Sequence, residues 1–264
     1  MQWLRNHPYD PRRNLTPVVG TLMVITTVAY FLQLLGDLLT GHGASHLFAL
    51  SSEGFLHGWA WQFVTYQFLH GGVWHILLNM LCLYMMGPEL ERVIGSARFV
   101  ALYLLSGITG GAAWLAIQYP QMGYCIGASG AIFGVMAAFA TMFPRLPLSV
   151  FMFPFITLPA WVLVGILALI QLALLLENGP TQVAYAAHLA GALAGCGLAW
   201  LHKRGTDPMR WVRQKQQQRQ MAKVQAEQAD VDRILDKLAR EGLHKLTEAE
   251  RRHLQAASER LRAR

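Results

Sequence analysis

Three short stretches carry side chains that could do chemistry together. "GASG" supplies Ser129, "AAHLAG" supplies His188, and "HGGVWHILLNM" supplies His70, His75 and Asn79. A hydroxyl, an imidazole and a set of N–H donors are the parts of nucleophilic acyl chemistry. The hydroxyl attacks, the imidazole takes its proton, and the donors hold the oxyanion that forms. His75 and Asn79 are four residues apart and share one face of a helix. Each group alone has a plain structural reading. A lone histidine in a membrane helix commonly bonds to a neighbour, and a serine among Gly127, Gly130 and Gly134 fits close helix packing, as do Gly191 and Gly195. Read together, the three groups make a site.

The elements that must position them are membrane helices. The 264 residues are 54% hydrophobic and 14% charged, against roughly 25% charged in soluble domains. Apolar runs approaching the 20 or so residues needed to cross a bilayer predict six spans: Pro17–Leu39, Gly72–Pro88, Arg98–Gln118, Ser129–Phe143, Ile156–Leu176 and Ala184–His202. The basic residues sort onto one side of them. Arg5, Arg12 and Arg13 precede the first span, Arg92 and Arg98 lie between the second and third, Arg145 follows the fourth, and 16 follow the sixth. The opposite loops, Gly41–Gly71, Tyr119–Ala128 and Glu177–Val183, contain no Lys or Arg. The positive-inside rule then places both termini in the cytoplasm. The first span is long, includes Gln33 and lacks a small-x-small cleavage site, so it reads as a retained helix rather than a signal peptide.

The fourth span makes a physical argument about Ser129. Ser129 to Phe143 is 15 residues, about 22 Å of helix, which is short of the roughly 30 Å of hydrocarbon. With its far end at the cytoplasmic surface, Ser129 sits beneath the outer face. The preceding Pro120–Ala128 stretch must dip inward as irregular chain, tolerated only where protein or a water-filled cavity covers it. A helix that starts inside the membrane aims unsatisfied N–H groups and a positive dipole end at its first residues. That setting favours an oxyanion.

Other signals are weaker. Cys82, Cys125 and Cys196 show no paired spacing, which predicts free thiols, and the ten histidines include no HExxH zinc signature. From Lys203 the composition changes: residues 203–264 hold 16 basic and 9 acidic residues and so the whole net charge of +7. A Gln-rich linker helix, Gln214–Gln228, is expected to precede a helical pair. Val231, Ile234, Leu235 and Leu238 form an apolar stripe, and Gly242 is a stop signal. Thr247 and Glu250 form a capping-box pattern, with Leu254 and Leu261 on the apolar side of the second helix. No recognition-helix pattern points to nucleic acid. The tail reads as a solvated appendage near anionic headgroups, with no partner identified.

These motifs resemble the rhomboid intramembrane serine proteases in their six-helix bacterial form. "HGGVWHILLNM" matches H-x4-H-x3-N, "GASG" matches GxSG, "AHLAG" matches AHxxG, and "GPELERVIG" matches G-x-x-x-E through Gly87 and Glu91. The resemblance covers about Pro17 to His202. It implies an all-α membrane protein with a six-helix protease domain 17–202 in the bacterial plasma membrane; charge and composition add a cytoplasmic segment 1–16 and a basic helical cytoplasmic extension 203–264.

Residue by residue, the resemblance implies a dyad of Ser129 as nucleophile and His188 as general base. His75, Asn79 and the Ser129 backbone N–H would form the oxyanion hole. Phe133 would stack on the base where relatives often have Tyr, Gly191 would allow close helix approach, Gly127 and Gly130 would shape the site, and His70 would be structural. Neither cofactor nor metal is implied, and the substrates would be transmembrane proteins within the bilayer. No Asp or Glu lies near His188 in the later spans, so orientation of the base is expected to fall to packing. Relatives often carry Trp-Arg in the first outer loop. Here the pair is Trp61-Gln62, which puts charge-based anchoring of that loop in doubt, while Phe55, Trp59, Trp61 and Phe68 suit the headgroup region. The alternative is an inactive rhomboid-like protein that binds membrane clients. Such proteins usually lack the serine or the histidine, and both are present. A transporter would call for paired intramembrane charges or inverted repeats, and neither is found.

Overall fold

The computed structural model describes residues 15–41, 43–121, 123–150, 153–177, 182–205, 210–242, 246–252 and 254. The expected N-terminal segment, apart from its last two residues, and Leu261 lie outside them. The chain divides into two units, Met1–Thr206 and Asp207–Arg264.

The first unit is helical. It comprises α1 (Pro17–Thr40), α2 (Gly43–Phe48), α3 (Ser52–Leu56), α4 (Gln62–Thr65) with a 3-10 turn at Tyr66–Phe68, α5 (Val73–Ile94), α6 (Ser96–Gln118), α7 (Ser129–Met142), α8 (Ala160–Leu176) and α9 (Gln182–Lys203). Two small antiparallel pairs join them: β1 (Leu50–Ser51) with β2 (Tyr124–Cys125), and β3 (Pro147–Val150) with β4 (Phe153–Pro159). Among the described residues, three helices are long and apolar enough to cross a membrane: α1, α6 and the Ala184–Lys203 part of α9. A fourth candidate is α5 joined to the Gln62–Phe68 segment across a 97° bend, and α7 and α8 are shorter apolar helices. Large apolar side chains face outward all around this unit, including Leu38 on α1, Trp74 on α5, Leu169 on α8 and Leu193 on α9. Soluble monomers rarely expose contiguous apolar surface on that scale. The outward face is one that lipid, not water, must cover, and the chain is a multi-pass membrane protein.

The core lies between α5, α6, α7 and α9. α7 packs against all three of the others and against α8, and most of its residues are buried, from Gly130 through Phe139. α8 is the opposite case: only Ala160 and Val164, near its start, are buried. Leu83, Leu90, Phe99, Tyr103 and Phe139 are fully enclosed. Glycines set the spacing of the bundle. A Cβ at Gly191 would run into the Gly130 carbonyl, one at Gly195 into the Gly134 carbonyl, and one at Gly110 against the Ala187 carbonyl. α6, α7 and α9 therefore meet backbone to backbone, the small-residue packing expected between helices in lipid.

Two expected boundaries are corrected. The second span was expected to stop at Pro88, but α5 runs through it to Ile94. Proline removes one helical N–H, yet Glu89, Leu90, Glu91 and Ile94 are buried, and Glu91 accounts for the extension. Its carboxylate accepts the backbone N–H groups of Val18 (3.4 Å) and Val19 (3.1 Å) and the Ser96 hydroxyl (2.6 Å). An anion at the first turn of α1 satisfies orphan donors and opposes the helix dipole. A Cβ at Gly87 would press on Val19, so this glycine lets α1 come that close. The fifth span was expected from Ile156, but Phe153–Pro159 pairs with Pro147–Val150, with Leu148 opposite Leu158, and α8 starts only at Ala160. Apolar composition alone does not separate a β-hairpin from a helix start.

In the second unit, α10 (Arg210–Glu241) runs as one helix. The Gln-rich stretch and the apolar stripe are continuous rather than a linker helix followed by another. Ile234 is buried whereas Leu235 is exposed. Gly242 takes φ +84° and closes the helix with its N–H on the Leu238 carbonyl, the left-handed cap that glycine adopts without penalty. Residues 248–252 are helical again. Their start is a reciprocal capping box: Glu250 N–H donates to Thr247 Oγ1 (3.3 Å), and Thr247 N–H to Glu250 Oε2 (2.8 Å).

Candidate active site

Ser129 is the first residue of α7, and the chain leading to it is fixed at several points. β2 pairs with β1, setting Leu50 opposite Cys125 and Ser51 opposite Tyr124. The Ser52 hydroxyl donates to the Gln121 carbonyl (3.0 Å), and Gly127 N–H donates to the Tyr66 carbonyl (2.9 Å). The Tyr66 hydroxyl in turn bonds the Gly107 carbonyl on α6. Gly127 has φ +128°, a conformation that side chains disfavour, and the space a Cβ would take there is filled by the His75 ring.

Ser129 and His188 meet directly. The Ser129 Oγ–His188 Nε2 distance is 2.7 Å. Phe133, one helical turn after the serine, stacks on the imidazole with ring centroids 4.7 Å apart and planes 7° from parallel. The close backbone approach of Gly130 to Gly191, next to Ser129 and one turn after His188, sets the separation of α7 and α9.

His75, Asn79 and His70 form a second cluster beside the first. Asn79 is buried, and its Nδ2 lies 3.1 Å from His70 Nε2. The His70 and His75 rings meet edge to face at 5.0 Å. His75 joins the two clusters, because it lies against the Gly127 peptide two residues before Ser129. The backbone of His70 is held by Gln33 of α1, whose Oε1 accepts the His70 N–H (2.9 Å) and whose Nε2 donates to the His70 carbonyl (3.1 Å). The site is thus anchored to the first helix.

In the segment between α1 and α5 Gln62 is fully buried. Its Oε1 accepts from the Ser51 N–H and hydroxyl (both 3.2 Å), and its Nε2 donates to the His46 and Leu47 carbonyls (both 3.3 Å). Uncharged bonds therefore tie the loop that carries β1. Trp59 and Trp61 stack on one another at 5.7 Å.

Sequence reasoning passed over two residues. Gln33 was noted only as a polar interruption of the first span. Gln171, on α8, has its Oε1 2.8 Å from His188 Nδ1, which corrects the expectation that packing alone orients the base. The available signal was composition: Gln171 is the one amide in "AWVLVGILALIQLALLL", and polar groups at membrane depth are expensive. Among the described residues, no group of three or more His, Cys, Asp or Glu side chains is placed to hold a metal ion, and Cys82, Cys125 and Cys196 are free.

Comparison with known proteins bears on what this arrangement is. Residues 57–205 match the Rhomboid domain, and residues 216–260 match a family of unknown function (DUF6576). Rhomboid protein 1, mitochondrial, of Saccharomyces cerevisiae is 32% identical over 152 residues, 54% of this chain and 42% of that protein. The putative rhomboid protease YdcA of Bacillus subtilis is 30% identical over 148 residues, 53% of this chain and 69% of that protein. The rhomboid protease GluP of the same organism is 43% identical over 79 residues, 30% of this chain and 15% of that protein. The chain thus spans less than half the length of the yeast relative and about two thirds of YdcA. With its Rhomboid domain match covering more than half of the sequence, the chain belongs to the rhomboid family.

Proposed function

We propose that this chain is an intramembrane serine endopeptidase that cleaves transmembrane protein substrates through a dyad of Ser129 and His188. The observation that carries the reading is the 2.7 Å approach of Ser129 Oγ to His188 Nε2, with the imidazole stacked on Phe133. The Ser129 hydroxyl attacks the scissile carbonyl and passes its proton to His188 Nε2. The tetrahedral oxyanion takes hydrogen bonds from the Ser129 backbone N–H, His75 and the second amide hydrogen of Asn79, its first being engaged by His70. His188 returns the proton to the leaving amine, and water then hydrolyses the acyl-enzyme by the same route. Hydrolysis needs an extended peptide bond and water, so suitable substrates are helices that unwind locally near the membrane surface. No cofactor takes part.

The proposed topology has six spans formed by α1, α5, α6, α7, α8 and α9, with segment 1–16 and the basic extension 203–264 in the cytoplasm and the protease domain at 17–202. Its setting is a bacterial plasma membrane. The distribution of Lys and Arg supports this orientation. α7, with 14 residues, spans about 21 Å, a length that supports a position for Ser129 below the outer surface.

Purified full-length protein in detergent should cleave a model transmembrane substrate, and a fluorophosphonate should label Ser129. Ser129→Ala and His188→Ala should each abolish cleavage. Cleavage that persists in Ser129→Ala, or labelling at another residue, would sink the assignment.

A further inference from the structure

We propose that Gln171 is a positioning residue for this dyad: its side-chain amide oxygen accepts the Nδ1–H of His188 and thereby keeps the Nε2 lone pair on Ser129. The inference rests on the protease reading and adds to it a third, uncharged member from a separate helix. Three observations carry it. Gln171 Oε1 lies 2.8 Å from His188 Nδ1, while the opposite ring nitrogen lies 2.7 Å from Ser129 Oγ. The two bonds leave opposite edges of one imidazole whose face is covered by Phe133. Finally, Gln171 is the lone amide on a helix whose other residues, apart from Trp161 at its start and one glycine, carry hydrocarbon side chains, a position where an unsatisfied polar group would be costly.

The chemistry selects one tautomer. A neutral imidazole has one N–H and one lone pair, and the partner of one nitrogen decides the state of the other. If the Gln171 carbonyl accepts at Nδ1, the hydrogen resides there and Nε2 is free to take the serine proton. If the amide were turned and its NH2 donated to Nδ1, Nε2 would carry the hydrogen and could not act as a base. Proton transfer from Ser129 then makes an imidazolium, whose Nδ1–H donates more strongly to the same oxygen. The bond is strongest when charge has developed, so it lowers the barrier rather than tightening substrate binding. A neutral acceptor does this without burying an anion, which would carry a large desolvation cost in this medium.

The test uses the full chain in detergent. Gln171→Met keeps the length of the side chain and removes the acceptor, and Gln171→Glu restores an acceptor oxygen whether or not it is ionised. Loss of one hydrogen bond to a developing charge should lower kcat roughly ten- to hundredfold in Gln171→Met, with KM unchanged, and Gln171→Glu should recover most of it. In 15N-histidine NMR spectra, with His188 assigned by difference from His188→Asn, the parent should show a protonated Nδ1 and an unprotonated Nε2. Gln171→Met should lose that preference. A kcat within twofold of the parent in Gln171→Met, an effect confined to KM, no recovery in Gln171→Glu, or an unprotonated Nδ1 in the parent would each overturn the proposal. The protease reading fails on a different result, cleavage that survives Ser129→Ala, and the NMR experiment reads the tautomer without any turnover.

Discussion

Gly191 on α9 lies against the backbone of Gly130 on α7, so closely that a methyl group on Gly191 would overlap the Gly130 carbonyl. His188 is one helical turn before Gly191 and Ser129 is next to Gly130. The separation of these two backbones therefore sets the separation of the Ser129 and His188 side chains, the proposed dyad. A bilayer provides no hydrophobic force to press helices together, and close packing of small residues takes its place.

Gly191→Ala should for this reason cut proteolysis far more than it cuts stability. Overpacking a tight contact costs about 1–3 kcal/mol, whereas a displacement near 1 Å at a reacting pair can cost on the order of a hundredfold in rate. Gly197 on the same helix has open space where a Cβ would go, so Gly197→Ala should leave both quantities nearly unchanged. Cleavage rates and thermal unfolding of the two variants, measured together, check the contrast. Equal behaviour of the two would remove the packing argument.

Phe133 offers a graded probe of the proposed base, His188. An aromatic stack is worth about 0.5–1.5 kcal/mol beyond its buried area. Phe133→Leu should accordingly reduce kcat several-fold, while Phe133→Tyr, which keeps the ring, should stay near the parent. The expected order is Phe and Tyr together, above Leu. A Tyr variant as slow as Leu would mean that the ring face against His188 is not what matters.

How far the sequence reveals this arrangement depends on the residue. Ser129 at the start of α7 is legible because the apolar run from Ser129 to Phe143 is too short to cross a bilayer from surface to surface and so calls for irregular chain before it. The join of α5 to α1 is half legible: Gly87 and Glu91 stand out as a motif, but only the fold brings Val18 and Val19 to the carboxylate. The β3–β4 pair is only faintly legible: Pro147, Pro154 and Pro159 argue against a helix there, but the pairing itself is a tertiary fact. Gln171 is visible as an oddity, yet a helix with lipid on most sides does not announce which turn faces a histidine. Periodicity gives the face, and packing gives the partner.

Glu91→Gln tests the join between α1 and α5. The carboxylate serves two backbone donors and the Ser96 hydroxyl and is 3% exposed. Hydrogen bonds to a charged group are worth about 1.5–3 kcal/mol, and a neutral amide oxygen replaces them only in part. A loss of about 2 kcal/mol on that scale is expected in detergent unfolding, with α1 releasing before the α6–α7–α9 core. Limited proteolysis during the transition should cut near Pro17 first. An unchanged midpoint would place the α1 contacts elsewhere.

The tail offers a pH test away from the membrane spans. The Glu250 carboxyl is held down at about 2, from an ordinary 4.5, first by the Thr247 backbone N–H and then by Lys237, whose Nζ lies 3.0 Å from both carboxylate oxygens. Both partners favour the ionised form. A carboxyl whose pKa is lower in the folded chain than in the unfolded one adds stability that is fully present above the ordinary value. That stability fades as pH falls from about 4.5 to about 2. The Thr247 amide resonance of the full chain should therefore titrate with a midpoint well below 4.5. Lys237→Ala should move the midpoint upward by removing the cation, and Glu250→Gln should abolish the titration while weakening the 248–252 turn. A Thr247 midpoint at the ordinary carboxyl value in the parent would show that the capping box does not hold its charge, and the helical turn it starts would then be indifferent to acid.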